Sequence, residues 1–202
     1  ITSLDLMYDA VLTVEKWIIS NYKKDESFSI ICGNGNNGAD GILTGCKLML
    51  RNYKVQTFYI SEFGSPEFNH QFKYAKKIGL NLKKIDFYNL SSITFSDIII
   101  DCVFGVGLNR EITGKYLKLI NFVNSFKKKI ISIDAPSGIS ADKYFSSNHI
   151  ISDRILTFHA PKLTFFFSEY LDQIKNIEIL DIGLDKSEYK RMKGIGELID
   201  IN

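Results

Sequence analysis

Three apolar segments in this chain run without the alternation of a strand that has one wet face, and each ends in a turn rich in glycine or aspartate. Phe28–Ser29–Ile30–Ile31–Cys32 leads into Gly33–Asn34–Gly35–Asn36–Asn37–Gly38–Ala39–Asp40–Gly41. Asp97–Ile98–Ile99–Ile100–Asp101–Cys102–Val103–Phe104 leads into Gly105–Val106–Gly107–Leu108. Lys129 to Asp134 leads into Ala135–Pro136–Ser137–Gly138. Continuous apolar strands are buried on both faces, as in parallel sheets covered by helices. Between the strands lie segments of helical spacing, so the order is strand, turn, helix.

This pattern predicts an α/β fold of three Rossmann-like layers with a mainly parallel central sheet. Strands are expected over residues 28–33, 55–60, 82–87, 97–104, 129–134, 154–159, 163–168 and 177–182. Helices are expected over 3–20, from Ile42 to Leu50, over 67–78 and over 115–126, with Ser3 capping the first. In the opening helix Leu4, Met7, Val11, Val14, Ile18 and Ile19 form a stripe that suits the core or a second copy of the chain. No linker or repeat divides the 202 residues, so residues 1–202 read as one domain, with a polar tail from Lys186 expected to be mobile.

In such folds ligands bind at the carboxyl ends of the strands. All three turns then gather on one edge of the sheet. The first has the order of a phosphate site, in which glycines admit a ligand and the following helix offers free N–H groups. Glycine spacing alone is weak evidence, but the asparagines and Asp40 add side-chain chemistry. An Asn carbonyl suits a hard cation, and Asp40 can cap the helix start. In the second turn, a buried Asp101 needs either a cation or a hydrogen-bond network. Arg110 either pairs with phosphate or forms a surface ion pair. In the third, Asp134 stands where an acid/base group could work or where a carboxylate could fix the loop. Ser137 lacks a Gly-x-Ser-x-Gly setting and a triad order, which excludes a serine hydrolase of that kind.

The chain carries a net charge of +2, which gives no nucleic-acid or membrane signal. Its three cysteines form no C-x-x-C pair, and His70, His149 and His159 share no ligand spacing with them. A reducing compartment, the cytoplasm, is expected. No apolar run approaches the roughly 20 residues of a membrane span.

Taken together, the motifs resemble the N-terminal domain family of YjeF-type proteins, the NAD(P)H-hydrate epimerases. Leu6–Met7–Tyr8–Asp9–Ala10 is similar to that family's opening helix, and the first turn to its Gly-x-Gly-Asn-Asn-Gly-Gly-Asp-Gly. Asp101 to Leu108 is similar to Asp-x-x-Phe-Gly-Thr-Gly-Leu, and Asp134–Ala135–Pro136–Ser137–Gly138 to Asp-x-Pro-Ser-Gly. Thr157 to Lys162 and Asp181–Ile182–Gly183 match later motifs. Ala39 stands where glycine is common, a change its methyl allows unless φ is positive there.

The resemblance implies an isomerase that interconverts the R and S epimers of hydrated NADH and NADPH for cofactor repair. It implies substrate binding by Asn36, Asn37, Gly38, Ala39 and Asp40, by Gly105, Val106, Gly107, Leu108, Asn109, Arg110 and Glu111, and by Asp134. It implies a potassium ion on Asn37, Asp101 and Ser137. Asp134 is the expected catalytic acid/base, with Asp101 as runner-up, and Lys162 either pairs with phosphate or organises a loop. The implied partners are a second copy in a homodimer and an ADP- or ATP-dependent hydrate dehydratase, in some proteins fused to this domain. Two other readings compete. A non-catalytic, RNA-associated scaffold of the same fold would favour loss of Asp40, Asp101 and Asp134. An ordinary nicotinamide oxidoreductase would need a ribose-binding acid after the second strand, where only Glu62 offers itself.

Overall fold

In the computed structural model, residues 2–141, 143, 148–171 and 176–183 are described; the tail from Lys186 lies outside them. The chain order is α1 (Ser3–Asn21), β1 (Ser27–Cys32), α2 (Asn36–Leu50), β2 (Lys54–Tyr59), α3 (Pro66–Ile78), β3 (Leu82–Lys84), β4 (Ile98–Cys102), α4 (Gly114–Asn124), β5 (Lys129–Ile133), β6 (Arg154–Phe158), α5 (Ser168–Leu171) and β7 (Ile177–Leu180). The seven strands form one sheet in the order β3-β2-β1-β4-β5-β6-β7, and every pairing is parallel. The chain moves outward from β1 to β3, then returns to place β4 on the other side of β1. That reversal makes the carboxyl ends of β1 and β4 the switch point at which such sheets bind ligands.

The strands show why the apolar runs do not alternate. In β4, Ile98, Ile100 and Cys102 join the core beneath α1, α2 and α3, while Ile99 joins the opposite core beneath α4. In β1, Phe28, Ile30 and Cys32 face the first core and Ile31 the second. Each fully buried aliphatic side chain stabilises the fold by about 1.5–3 kcal/mol relative to exposure. On α1, Met7, Val11, Val14 and Ile18 are consumed by this same core, while Leu4 is half-buried and Ile19 is exposed.

Several local expectations are corrected. Thr2, not Ser3, caps α1: its hydroxyl accepts from Asp5 N while the Asp5 carboxylate accepts from Thr2 N, a reciprocal capping box. Helix α2 begins at Asn36 rather than Ile42, so Asp40 lies one turn inside it and caps nothing. The early start is possible because Gly38 rests directly on the Gly33 carbonyl; a Cβ there would lie 2.0 Å from that oxygen. Strand β3 stops at Lys84, because Asp86 turns the chain by accepting from Tyr88 N at 2.9 Å. The segment 163–168 is not a strand. Leu163–Phe166 is a 3₁₀ turn, followed by the short α5. His159, at φ 73°, and Pro161 break the extended run, and Phe165 inserts among Ala135, Ile139, Ile155 and Tyr170, with Phe167 packed against the cluster. The last place in the sheet is taken by β7.

Candidate active site

The three turns converge on one cleft of about 640 Å³. Its walls are Asn34 to Asn37 with Asp40, Val103 to Arg110, Asp134, and Phe158 at the end of β6. The structure thus brings together Asn36, Asn37, Asp40, Gly105, Val106, Gly107, Leu108, Asn109, Arg110 and Asp134. Gly38 and Ala39 are buried behind the first wall, and Ala39 has the helical backbone that accommodates its methyl. Glu111 faces an adjoining groove, and Asp101 and Ser137 lie buried below the cleft.

Asp134 follows β5 with φ 69°, a left-handed conformation that costs about 1–3 kcal/mol in a residue other than glycine. Its backbone is fixed by Asp134 N donating to the Leu156 carbonyl at 2.8 Å. This aims the carboxylate into the cleft. Oδ2 accepts from Val106 N at 3.0 Å, and Oδ1 is 3.2 Å from the ammonium of Lys162. Lys162 also donates to the Phe158 carbonyl at 3.3 Å. The ion pair is largely shielded, with 17% of the Lys162 side chain and 13% of the Asp134 side chain exposed. Of the two roles open to Lys162, its contacts are those of a residue that orders Asp134 and the β6 turn.

Gly105 lies against both walls. A Cβ at this position would come within 2.8 Å of Asp134 Oδ2 and 3.1 Å of Asn37 Cβ. Only a residue without a side chain lets the second turn close between the first and the third.

Asn37 is buried, and among the described residues neither its Oδ1 nor its Nδ2 has a hydrogen-bond partner. Leaving such groups unsatisfied costs about 1–3 kcal/mol each, which points to a ligand. The residue before α2, Gly35, supplies no side-chain cap, so the first amides of the helix are also open. Part of the Asp40 surface opens to the cleft, yet its carboxyl sits among enough protein atoms that burial pushes it well above the usual carboxylate range, with the nearby charge of Asp134 adding to the effect.

Asp101 is fully buried at the end of β4 and is saturated by donors. Oδ1 accepts from Val103 N at 3.2 Å and Ser137 Oγ at 2.6 Å; Oδ2 accepts from Ser137 N and Ser132 Oγ, both at 2.8 Å. Burial raises its proton affinity and the Ser137 bonds oppose that rise. Ser137 Oγ accepts in turn from Phe104 N at 2.8 Å. Asp101 is therefore a tie between the second and third turns, one of the two solutions open to it from sequence, and it does not line the cleft.

Potassium can be tested against this donor set. An amide oxygen, a carboxylate and a serine are all hard oxygen donors, and the orphaned Asn37 Oδ1 is the kind of atom a cation would satisfy. Asn37 Oδ1 fits such an ion, whereas the Asp101 carboxylate and the Ser137 hydroxyl are already engaged by protein hydrogen bonds and would have to give some of them up to reach it. Among the described residues Arg110 has no ion-pair partner, which leaves its guanidinium to the cleft. Glu62, the acid after β2, is held by Lys76 at 2.8 Å. His149 packs edge-on against Tyr170, and the proton affinity of His159 is lowered by burial and then by Lys162.

Phe158 is the one wall residue outside the three expected turns. The strand-end rule that found the other three turns applies equally to β6 and could have found Phe158.

Comparison with known proteins follows the same lines. A family model described as YjeF-related protein N-terminus matches residues 3–164. The chain is 28% identical over 197 residues to the NAD(P)H-hydrate epimerase of Levilactobacillus brevis, covering 95% of this chain and 90% of that one. It is 32% identical over 169 residues to the NAD(P)H-hydrate epimerase of Entamoeba histolytica, covering 79% and 71%. It is 30% identical over 182 residues to the bifunctional NAD(P)H-hydrate repair enzyme Nnr of Synechocystis, covering 89% of this chain but 34% of that protein. The crystal structure of yeast ynu0 shares the fold, with a TM-score of 0.68 at 23% identity over 80% of this chain and 73% of that one.

Proposed function

The chain belongs to the family of YjeF-related protein N-terminal domains, and from that premise we propose that it is an NAD(P)H-hydrate epimerase, an isomerase acting on hydrated NADH and NADPH. The observation that carries the reading is the carboxylate of Asp134, fixed by Val106 N and Lys162 at the wall of the cleft. Relatives named for this activity at 28% and 32% identity support it over the scaffold reading. Asp40, Asp101 and Asp134 are all present, and Glu62 is engaged with Lys76 rather than free for a ribose.

The reacting carbon of the substrate bears a hydroxyl and the ring nitrogen. In one route its C–O bond breaks, a proton from the Asp40–Asp134 pair leaves with the oxygen as water, and the nitrogen lone pair forms an iminium. Water then adds to the opposite face and returns its proton to the pair. In the other, the hydroxyl gives up its proton, the C–N bond breaks with protonation of nitrogen, and the aldehyde recloses with inverted configuration. A positioned carboxyl group accelerates such proton transfers by about 10²–10⁴-fold.

The open amides at the start of α2 and the guanidinium of Arg110 bind the diphosphate. Asn37 would hold potassium, with Asp101 and Ser137 joining it only by exchanging protein hydrogen bonds for the ion, and the ion when bound supplies a fixed positive charge for the anionic substrate. Phe158 shields the reacting ring from water. The chain acts as a homodimer and works with an ADP- or ATP-dependent dehydratase that accepts one epimer; the bifunctional relative, about a third of which this chain spans, supports that pairing. Its buried free cysteines suit the cytoplasm.

The test mixes the purified protein with separated epimers of hydrated NADPH and follows their exchange by chromatography. Exchange well above the spontaneous rate is expected. Exchange at the spontaneous rate, with and without potassium, overturns the reading.

A further inference from the structure

The cleft does not end at Arg110. It shares Phe104, Leu108 and Arg110 with a groove of about 290 Å³, and Lys115 is common to that groove and a hollow of about 500 Å³ between the end of β3 and the start of α4. From Asp134, after β5, to the end of β3 is four strand spacings, about 19 Å at the usual inter-strand distance. That is the reach of an extended dinucleotide.

The chemistry of the hollow is distinct from that of the cleft. Lys84, Lys115 and Lys118 converge on it, against one carboxylate, Asp86, which is already accepting from Tyr88 N at 2.9 Å. The Lys115 ammonium is held over two rings, 5.0 Å from Phe87 and 5.3 Å from Tyr116. Tyr88 presents a fully exposed ring at the same rim. Cations beside a free aromatic face match a phosphorylated nucleoside, whose base stacks while its phosphate pairs. The acid that would select free ribose hydroxyls, Glu62, is bound to Lys76 and 3.4 Å from the Tyr59 hydroxyl. The start of α4 adds to the field, because Thr113 makes no side-chain cap.

We propose that this hollow is a subsite for the adenosine end of the dinucleotide, with Lys84, Lys115 and Lys118 binding a 2′-phosphate and Tyr88 stacking on the base, so that hydrated NADPH is preferred over hydrated NADH. The proposal rests on the epimerase reading for its substrate.

Two measurements test it. The ratio of kcat/KM for hydrated NADPH to that for hydrated NADH is compared between the native protein and single and triple alanine variants of the three lysines. A charged hydrogen bond is worth about a decade of affinity, so the ratio falls about tenfold for the strongest single variant and further for the triple, with the loss in KM. Calorimetric titration with 2′,5′-ADP and 5′-ADP reads the subsite without turnover: 2′,5′-ADP binds the native protein more tightly, competes with hydrated NADPH, and loses that advantage in the triple variant. An unchanged substrate ratio, equal binding of 2′,5′-ADP to native and triple variant, or binding that does not compete with substrate overturns the subsite. Absence of exchange by the native protein, with lysine-dependent 2′,5′-ADP binding intact, removes the epimerase reading and the substrate assignment while leaving a nucleotide site.

Discussion

The ammonium of Lys162 lies 3.2 Å from Oδ1 of Asp134, on a loop that begins where β6 ends. The carboxylate proposed as the acid/base is therefore oriented by a strand other than its own. Among the described residues, Lys162→Met leaves the Asp134 carboxylate held by Val106 N alone. The expected result is a kcat lower by about 10–100-fold with KM little changed, and a displaced pH–rate profile, while Lys162→Arg recovers part of the rate. Steady-state kinetics across pH checks this; an unaltered profile would show that Lys162 serves only the loop.

Asp134→Asn keeps the size of the side chain and removes its proton transfer. Epimer exchange is expected to fall by about 10²–10⁴-fold, with substrate binding retained in calorimetry. Near-native exchange would transfer the role to another group.

Gly105→Ala puts a methyl carbon 2.8 Å from Asp134 Oδ2 and 3.1 Å from Asn37 Cβ. One of the two walls must then shift. The variant should fold, as judged by circular dichroism, yet lose about two decades of kcat/KM, since small displacements of reacting groups are that costly.

Potassium binding should appear as stability. A cation at ten times its Kd adds about 1.4 kcal/mol, which raises Tm by about 3–5 °C in a domain of this size. Thermal unfolding in potassium chloride against lithium chloride at equal ionic strength should show that difference, and Asn37→Ala should abolish it. Equal melting in both salts for the native protein would argue against a potassium site there.

The carboxyl of Asp40 is pushed up first by burial and then by Asp134. In the unfolded chain an Asp titrates near 3.9. The folded protein thus binds this proton more tightly, and the stabilisation that results is complete below about pH 3.9 and is lost as pH rises through the folded value. Asp40→Asn removes the dependence. Its advantage over the native protein should be small at pH 4 and larger at pH 8. Denaturant titrations at the two pH values measure it, and an advantage that shrinks with pH would contradict the assignment.

The three turns were legible because each follows a run of buried aliphatics and the strand-end rule collects them. The reading of Asp101 stopped at two alternatives, since its donors Ser132 and Ser137 lie more than thirty residues away and come within reach only when β5 pairs with β4. Lys162 was ambiguous for a similar reason: its partner is set by β6 lying beside β5. The strand expected at 163–168 fails because its aromatic residues do not hold the even burial of a sheet strand: Phe165 is buried deeply while Phe166 is exposed. The start of α2 was misplaced because glycine and asparagine are poor helix formers, and tertiary contact between Gly38 and Gly33 outweighs that preference.

The tie at Asp101 has a consequence for how the protein comes into being. Its carboxylate meets two of its four donors on Ser137, 36 positions later, and a third on Ser132. Until β5 has joined β4, strand β4 carries a charge at the middle of the molecule with little to answer it. Docking of the fifth strand against the fourth therefore supplies three of the four donors that this carboxylate needs, and the same contact ties together two of the turns that wall the cleft.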